Sequence, residues 1–213
     1  MRAALLMAAL LACSSCSVIE QPSGLIPRWT TAWKEVATDD DRQRLADWRT
    51  TFVAALDDAK KAGFSAEIAR EGVLLEPDAA LGAPAIPDGM FRCRIIKIGA
   101  KPESGSRHYA SNAPFLCRVK PFRGLDRFNK FGGQQRYVGL IFPGDAVRQV
   151  FLGTLVLGDE TRALQYGSDE LRDVAGYVER IGPGRWRLIM PKPHFESQLD
   201  VMELVPTSNG AAS

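Results

Sequence analysis

The sequence predicts an α+β fold, with N-terminal amphipathic helices followed by a seven- or eight-stranded antiparallel barrel-like meander. Three observations predict it. Leu45, Trp48, Phe52, Leu56 and Ala59 recur at steps of three and four, the spacing of one helical face. After Gly89 the period changes to two, in short runs separated by turn residues. The run from Val150 to Leu157 is apolar on both faces, so one face suits a barrel interior and the other a covering helix.

The helical part is expected over 29–72. Trp29 and Trp33 are one turn apart, with Val36 on the same side. Thr38-Asp39-Asp40-Asp41 starts a helix, since acidic residues suit the positive end of its dipole. Gly63 ends that helix, and Ser65 caps a short segment that Gly72 closes. A tryptophan stripe at this spacing reads as core. Residues 76–89, with Pro77, Pro84 and Pro87, form a connecting loop. The strand part is expected over 89–206. Its first two strands carry Phe91, Cys93, Ile95 and Phe115, Cys117, Val119, and five more lie at 136–142, 147–157, 174–181, 185–191 and 200–205. Gly132-Gly133, Pro143-Gly144-Asp145, Gly158-Asp159 and Gly182-Pro183-Gly184 mark turns between them.

The flanks read differently. Arg2 followed by the apolar run Ala3–Ala12 is a secretory signal. As a helix that run spans about 15 Å, half a bilayer core, so it is not a membrane-spanning anchor. It ends in Leu10-Leu11-Ala12-Cys13, which resembles a bacterial lipobox with Cys13 as the lipidated residue. Cleavage after Ser17 is the alternative, and would give a soluble periplasmic protein. The expected organisation is a signal peptide at 1–12, a tether at 13–28, a single domain at 29–206 and a disordered tail at 207–213. The expected location is the periplasmic side of the envelope. A lipidated Cys13 followed by Ser14 would place the protein at the outer membrane.

Cys93 and Cys117 each lie on the apolar face of a strand. In a secreted chain that predicts a disulfide across paired strands. Closing a loop of about 25 residues would contribute roughly 3–4 kcal/mol. A redox pair would need closer spacing and an exposed thiol.

Charge is unevenly placed. Residues 34–88 hold 7 Lys/Arg and 12 Asp/Glu, residues 90–136 hold 11 and 2, and residues 137–213 hold 7 and 10. The alternation that buries the two cysteines turns Arg92, Arg94, Arg118 and Lys120 to the other face of their strands. Arg136 belongs to the same basic band. Two readings stand: the band is neutralised by the acidic helices, or it holds anions, for which arginine offers bidentate geometry. Suitable anions of the envelope are lipid headgroups, lipopolysaccharide phosphates and acidic glycans. No nucleic-acid motif is present.

Catalytic signals are thin. The histidines are His108 and His194, and no zinc-protease, Walker or nucleophile-elbow motif occurs. No metal or cofactor is expected. Ser104-Gly105-Ser106 near His108 is a flexible platform, poor for a nucleophile. Tyr166, Asp169 and Asp173 form a polar cluster between strands, read as a structured loop or as part of a site.

Several strings are familiar together: Met90-Phe91-Arg92-Cys93-Arg94, Phe115-Leu116-Cys117-Arg118-Val119, Lys130-Phe131-Gly132-Gly133-Gln134-Gln135-Arg136, Arg172-Asp173-Val174-Ala175-Gly176, and Arg185-Trp186-Arg187-Leu188. Over roughly 29–206 they resemble an uncharacterised family of secreted Gram-negative bacterial proteins that carry a domain of unknown function. The resemblance implies an envelope location and a single domain, and it brings no activity, cofactor or catalytic residue. Gly89-Met90-Phe91 is more loosely similar to the opening of lipocalin-like barrels. The expected function is an envelope binding or interaction protein for an anionic component. The alternatives are a hydrolase-like enzyme using Arg136, Tyr166, Asp169 and Asp173, and a structural partner of another envelope protein.

Overall fold

The computed structural model describes residues 24–102 and 104–207. The expected signal peptide, Cys13, Cys16 and the tail from residue 208 lie outside the described residues. Four helices come first: α1 (Trp33–Val36), α2 (Asp39–Ala46), α3 (Trp48–Lys61) and α4 (Ser65–Glu71), then a 3₁₀ turn at Gly72–Leu75. Nine strands follow: β1 (Gly89–Ala100), β2 (Tyr109–Ser111), β3 (Phe115–Phe122), β4 (Leu125–Lys130), β5 (Gln135–Phe142), β6 (Arg148–Leu157), β7 (Asp173–Gly182), β8 (Arg185–Pro191) and β9 (Ser197–Pro206).

Thr38 caps α2 as its sequence predicts, its hydroxyl accepting from the Asp41 amide at 3.2 Å. The helix expected from Thr38 to Gly63 is broken at Asp47, which ends α2 and precedes α3. Ser65 is the first residue of α4 rather than its cap; Phe64 holds that position without a side-chain bond. The last residues of the expected tether are packed on the domain. Leu25 and Ile26 are buried, and the Tyr166 amide donates to the Leu25 carbonyl at 3.0 Å.

The strands form an antiparallel meander in which β1 pairs with β9, closing an eight-stranded barrel with one extra strand. The extra strand is β2. It pairs Ile96–Ile98 of β1, while β3 pairs Gly89–Cys93 on the same edge. The two are one strand broken at Asn112-Ala113-Pro114, where the register slips by one residue. Proline lacks the amide a central ladder needs, which suits it to this break. The interruption positions the candidate site, because β4 ends at Lys130 and leaves the far edge of β2 without a strand partner.

The barrel interior is filled. Phe91, Phe128, Phe151, Leu188 and Met202 meet there. Gly139 and Gly153 face each other across β5 and β6, and a Cβ at either would lie 2.6 Å from the Phe151 ring. A side chain at either position would meet the backbone of the facing strand as well as the ring. The outer face of β6 carries Val150, Leu152 and Val156 under Trp29, Trp33 and Leu45. The outer faces of β1, β8 and β9 are covered by α3, α4 and the 3₁₀ turn, through Phe52, Leu56, Ile68 and Leu74. Arg187 fastens that layer. It is fully buried, donates to the Glu179 carboxylate at 2.9 and 2.7 Å, and reaches the carbonyls of Leu74 at 2.9 Å and Glu76 at 2.7 Å.

Cys93 and Cys117 are joined inside the barrel, with Cα atoms 6.0 Å apart. Their positions are diagonal rather than opposite, since Cys93 pairs with Phe115 and Phe91 with Cys117. Peptide mapping without reductant should recover the two cysteines linked. Reduction should lower the urea midpoint by an amount equal to about 3 kcal/mol in the chain-entropy estimate. Two free thiols in oxidised protein would contradict the pairing.

Candidate functional site

The expected basic residues divide into two groups. Arg94 is neutralised: it donates to Glu71 at 2.8 Å and to Glu203 at 3.0 Å, and these partners push its already high pKa higher. Arg136 is also engaged, with the carbonyls of Gly158 at 2.7 Å and Glu160 at 2.6 Å. Arg94 is thereby neutralised, whereas Arg136 is tied to neutral carbonyls and has no carboxylate partner among the described residues. Arg92, Arg118 and Lys120 are exposed and form no ion pair among the described residues.

Strand register explains why those three lie together. Arg92 is opposite Leu116, Arg118 is opposite Met90 and Asn129, and Lys120 is opposite Arg127. All three belong to the outer face of β1 and β3, the sector between the two covering layers; the first layer reaches the far end of β3, where Trp29 meets Phe122 with ring centres 5.6 Å apart. Leu116 is 49% exposed and Phe131 45% exposed on the same sector. They are neighbours, since the Phe131 amide donates to the Leu116 carbonyl at 2.9 Å. Arg127 lies flatter, its guanidinium 5.9 Å from the centre of the Phe122 ring.

Tyr166, Asp169 and Asp173 do not converge on a cavity. Tyr166 is buried; its hydroxyl donates to the Asp41 carboxylate and accepts from the Thr38 amide at 3.1 Å. Arg44 pairs with Asp41 and also contacts the Asp173 carbonyl. The Asp173 carboxylate accepts from the Gly167 amide at 3.0 Å, and burial pushes its pKa up to about 6. Asp169 pairs with Arg172 at 3.2 Å. The cluster locks the start of α2 to the loop before β7, which is the structured-loop reading. His108 contacts Asp58 at 2.6 Å on α3. Among the described residues no group of three His, Cys, Asp or Glu side chains converges as metal ligands.

The barrel mouth holds residues that the sequence did not single out as a group. Alternation continues the interior faces upward, from Ile95 to Lys97, from Phe128 to Lys130, from Ile141 to Tyr137 and from Met202 to Asp200. Asp200 accepts from the Tyr137 hydroxyl at 3.1 Å, from Lys97 at 3.2 Å and from the Ser197 hydroxyl. Lys97 also reaches Glu196 at 3.0 Å. Burial works to lower the Lys97 pKa, but Asp200 and Glu196 outweigh it and raise it. Burial and the Asp200 charge hold Tyr137 protonated, far above its ordinary value.

Lys130 differs. It is 8% exposed, and its ammonium donates to the carbonyls of Gly132 at 2.9 Å and Gln135 at 2.6 Å. The ammonium also lies 4.4 Å from the centre of the Phe115 ring. No described carboxylate pairs with it. Burial, with Arg136 and Lys97 nearby, brings its pKa down to about 8. A cleft of about 670 Å³ opens above it, bounded by β2, the Phe131–Gln134 turn and the Gly105-Ser106-Arg107 loop. Lys130 was legible only as one of eleven cations, because its strand, β4, was not predicted.

Residues 33–204 match the family model for a domain of unknown function, DUF4893, and the chain belongs to that family. No curated protein and no solved structure matches the chain.

Tyr166→Phe should destabilise the fold by about 1–3 kcal/mol, because it leaves the buried Asp41 carboxylate short of a donor. Urea unfolding measures this. A variant as stable as the parent would show that the hydroxyl is not a structural bond.

Proposed function

We propose that this protein is an envelope-located binding protein, and that the helix-free sector of its barrel contacts an anionic component of the envelope. The observation that carries the reading is the set of exposed cations Arg92, Arg118 and Lys120 on the outer face of β1 and β3, none of which has an ion-pair partner among the described residues. Residues 90–136 bring 11 basic and 2 acidic side chains to the chain. The helical layer neutralises Arg94 and stops short of the others. Cations held on one strand face produce a local potential that attracts anions whatever the net charge of the whole molecule. Leu116 and Phe131 add an apolar edge, a composition that suits a lipid or lipopolysaccharide surface better than a free inorganic ion. The lipobox-like end of the signal, with Cys13, supports a lipid-anchored placement at the outer membrane, and cleavage without lipidation gives a soluble periplasmic form.

Anionic phospholipid vesicles and lipopolysaccharide provide the test, with a Cys13→Ala chain so that an acyl anchor does not contribute. Cosedimentation should be strong at low salt with anionic vesicles, weak with zwitterionic ones, and should fall as salt shortens the screening length to about 8 Å. Arg92→Glu/Arg118→Glu/Lys120→Glu should abolish it without loss of thermal stability. Equal sedimentation of parent and triple variant would reject the reading.

A further inference from the structure

The barrel mouth adjoins the outer sector at Phe131 and carries a chemistry of its own. An ammonium has three donors. In Lys97 all are used, by Asp200 at 3.2 Å, Glu196 at 3.0 Å and Gln135 at 3.4 Å. In Lys130 two are used, both by neutral carbonyls. Its charge is buried against an aromatic ring and has no described counter-ion. Burying a charge without a partner is costly, and two carbonyl bonds leave a full positive charge in place. A purely structural prop for the Gly132-Gly133 turn would not need that charge, because a neutral amide side chain also donates to carbonyls.

From this arrangement we infer that the cleft is a binding site for a small organic anion, a carboxylate or phosphate ester with an apolar body, whose head pairs with Lys130. The Lys130 ammonium supplies the remaining donor and the countercharge. Arg107 stands exposed on the opposite lip and offers a second cation. Glu196, an acid on the cleft wall, is occupied by Lys97 at 3.0 Å, so it does not cancel Lys130. The body of the ligand lies along Ile95, Phe115 and Phe131, which line the same cleft. A volume of about 670 Å³ falls within the range of small-molecule sites, roughly 300–1,000 Å³. The filled interior below confines the ligand to the mouth. The depressed amine pKa agrees with the missing countercharge, and a bound anion would raise it.

Titration calorimetry of the full chain with octanoate, octyl phosphate, octanol and inorganic phosphate tests the site. Octanoate or octyl phosphate should bind at least ~10-fold more tightly than octanol, the difference a charge-assisted bond makes. Inorganic phosphate should bind more weakly than octyl phosphate. Equal binding of the two would overturn the apolar-body part and leave a simple phosphate site. Lys130→Met should lose at least ~10-fold in affinity for the octyl anions. If that variant fails to fold, Ala113→Glu serves, because Ala113 is an exposed position on the lining where an acid repels the head without disturbing the core. Arg92→Glu/Arg118→Glu should leave octanoate binding unchanged, which separates this site from the outer sector. Octanoate binding equally well to Ala113→Glu and to the parent would overturn the assignment, as would no binding of any octyl anion.

Discussion

The Arg187–Glu179 pair sets the surface of this protein. Both side chains have no exposure, and the guanidinium spends its remaining donors on carbonyls at the end of the helical layer. Removing Glu179 would strand the buried guanidinium, which typically costs about 3–5 kcal/mol, whereas Glu179 would still keep Arg148 at 2.6 Å. The pair therefore acts as a fixed rivet between β8 and the 3₁₀ turn. Arg94 repeats the device at the edge of the layer, joining Glu71 at the end of α4 to Glu203 of β9. Beyond that edge the helices stop. Arg92, Arg118 and Lys120 lie beyond it, exposed.

Closure and filling account for the rest. The β1–β9 ladder removes the free edges that an open sheet would present. Aromatic rings over paired glycines fill the middle of the barrel. Lys97, Lys130, Tyr137 and Asp200, polar groups that alternation turns inward, gather at the end where β4 stops early and β2 has no neighbour. Lys97, Asp200, Tyr137 and Ser197 satisfy one another there. Lys130 sits beside them with carbonyls in place of a carboxylate. Outer sector and mouth are thus two consequences of one architecture, a covered barrel with one interrupted strand.

Much of this architecture was legible in the sequence, and the exceptions have physical causes. The alternation of Phe91, Cys93 and Ile95 placed the cysteines inside, since a buried face fixes register. The offset of the disulfide depended on pairing that alternation does not specify. Strand β4 was missed because Leu125-Asp126-Arg127-Phe128-Asn129-Lys130 mixes polar and apolar residues on both faces. Its inward positions are Asp126, Phe128 and Lys130, which no amphipathic pattern would select. Strand β2 is three residues long, too short to show a period. Missing β4 hid the mouth, because the inward direction of Lys130 follows only from that strand. In the basic band, the acidic helices claim Arg94, while Arg92, Arg118 and Lys120 form no ion pair among the described residues. Sequence showed the charges, and only the fold showed which of them meet a carboxylate.

The central claim is that Lys130 is a buried cation without a countercharge at the open end of a filled barrel. Its folded pKa is about 8, below the ordinary value for lysine. Above that pH the folded state sheds a proton that the unfolded chain keeps until about pH 10.4, so the unfolded state binds more protons and stability rises with pH. The most direct measurement is urea unfolding of the parent and Lys130→Met at intervals from pH 7 to 10.5. Groups common to both proteins cancel in the difference. The account predicts that the parent gains on the variant across this window by on the order of 1–3 kcal/mol. A difference that stays constant with pH would mean that Lys130 carries an ordinary, compensated charge, and would contradict the account.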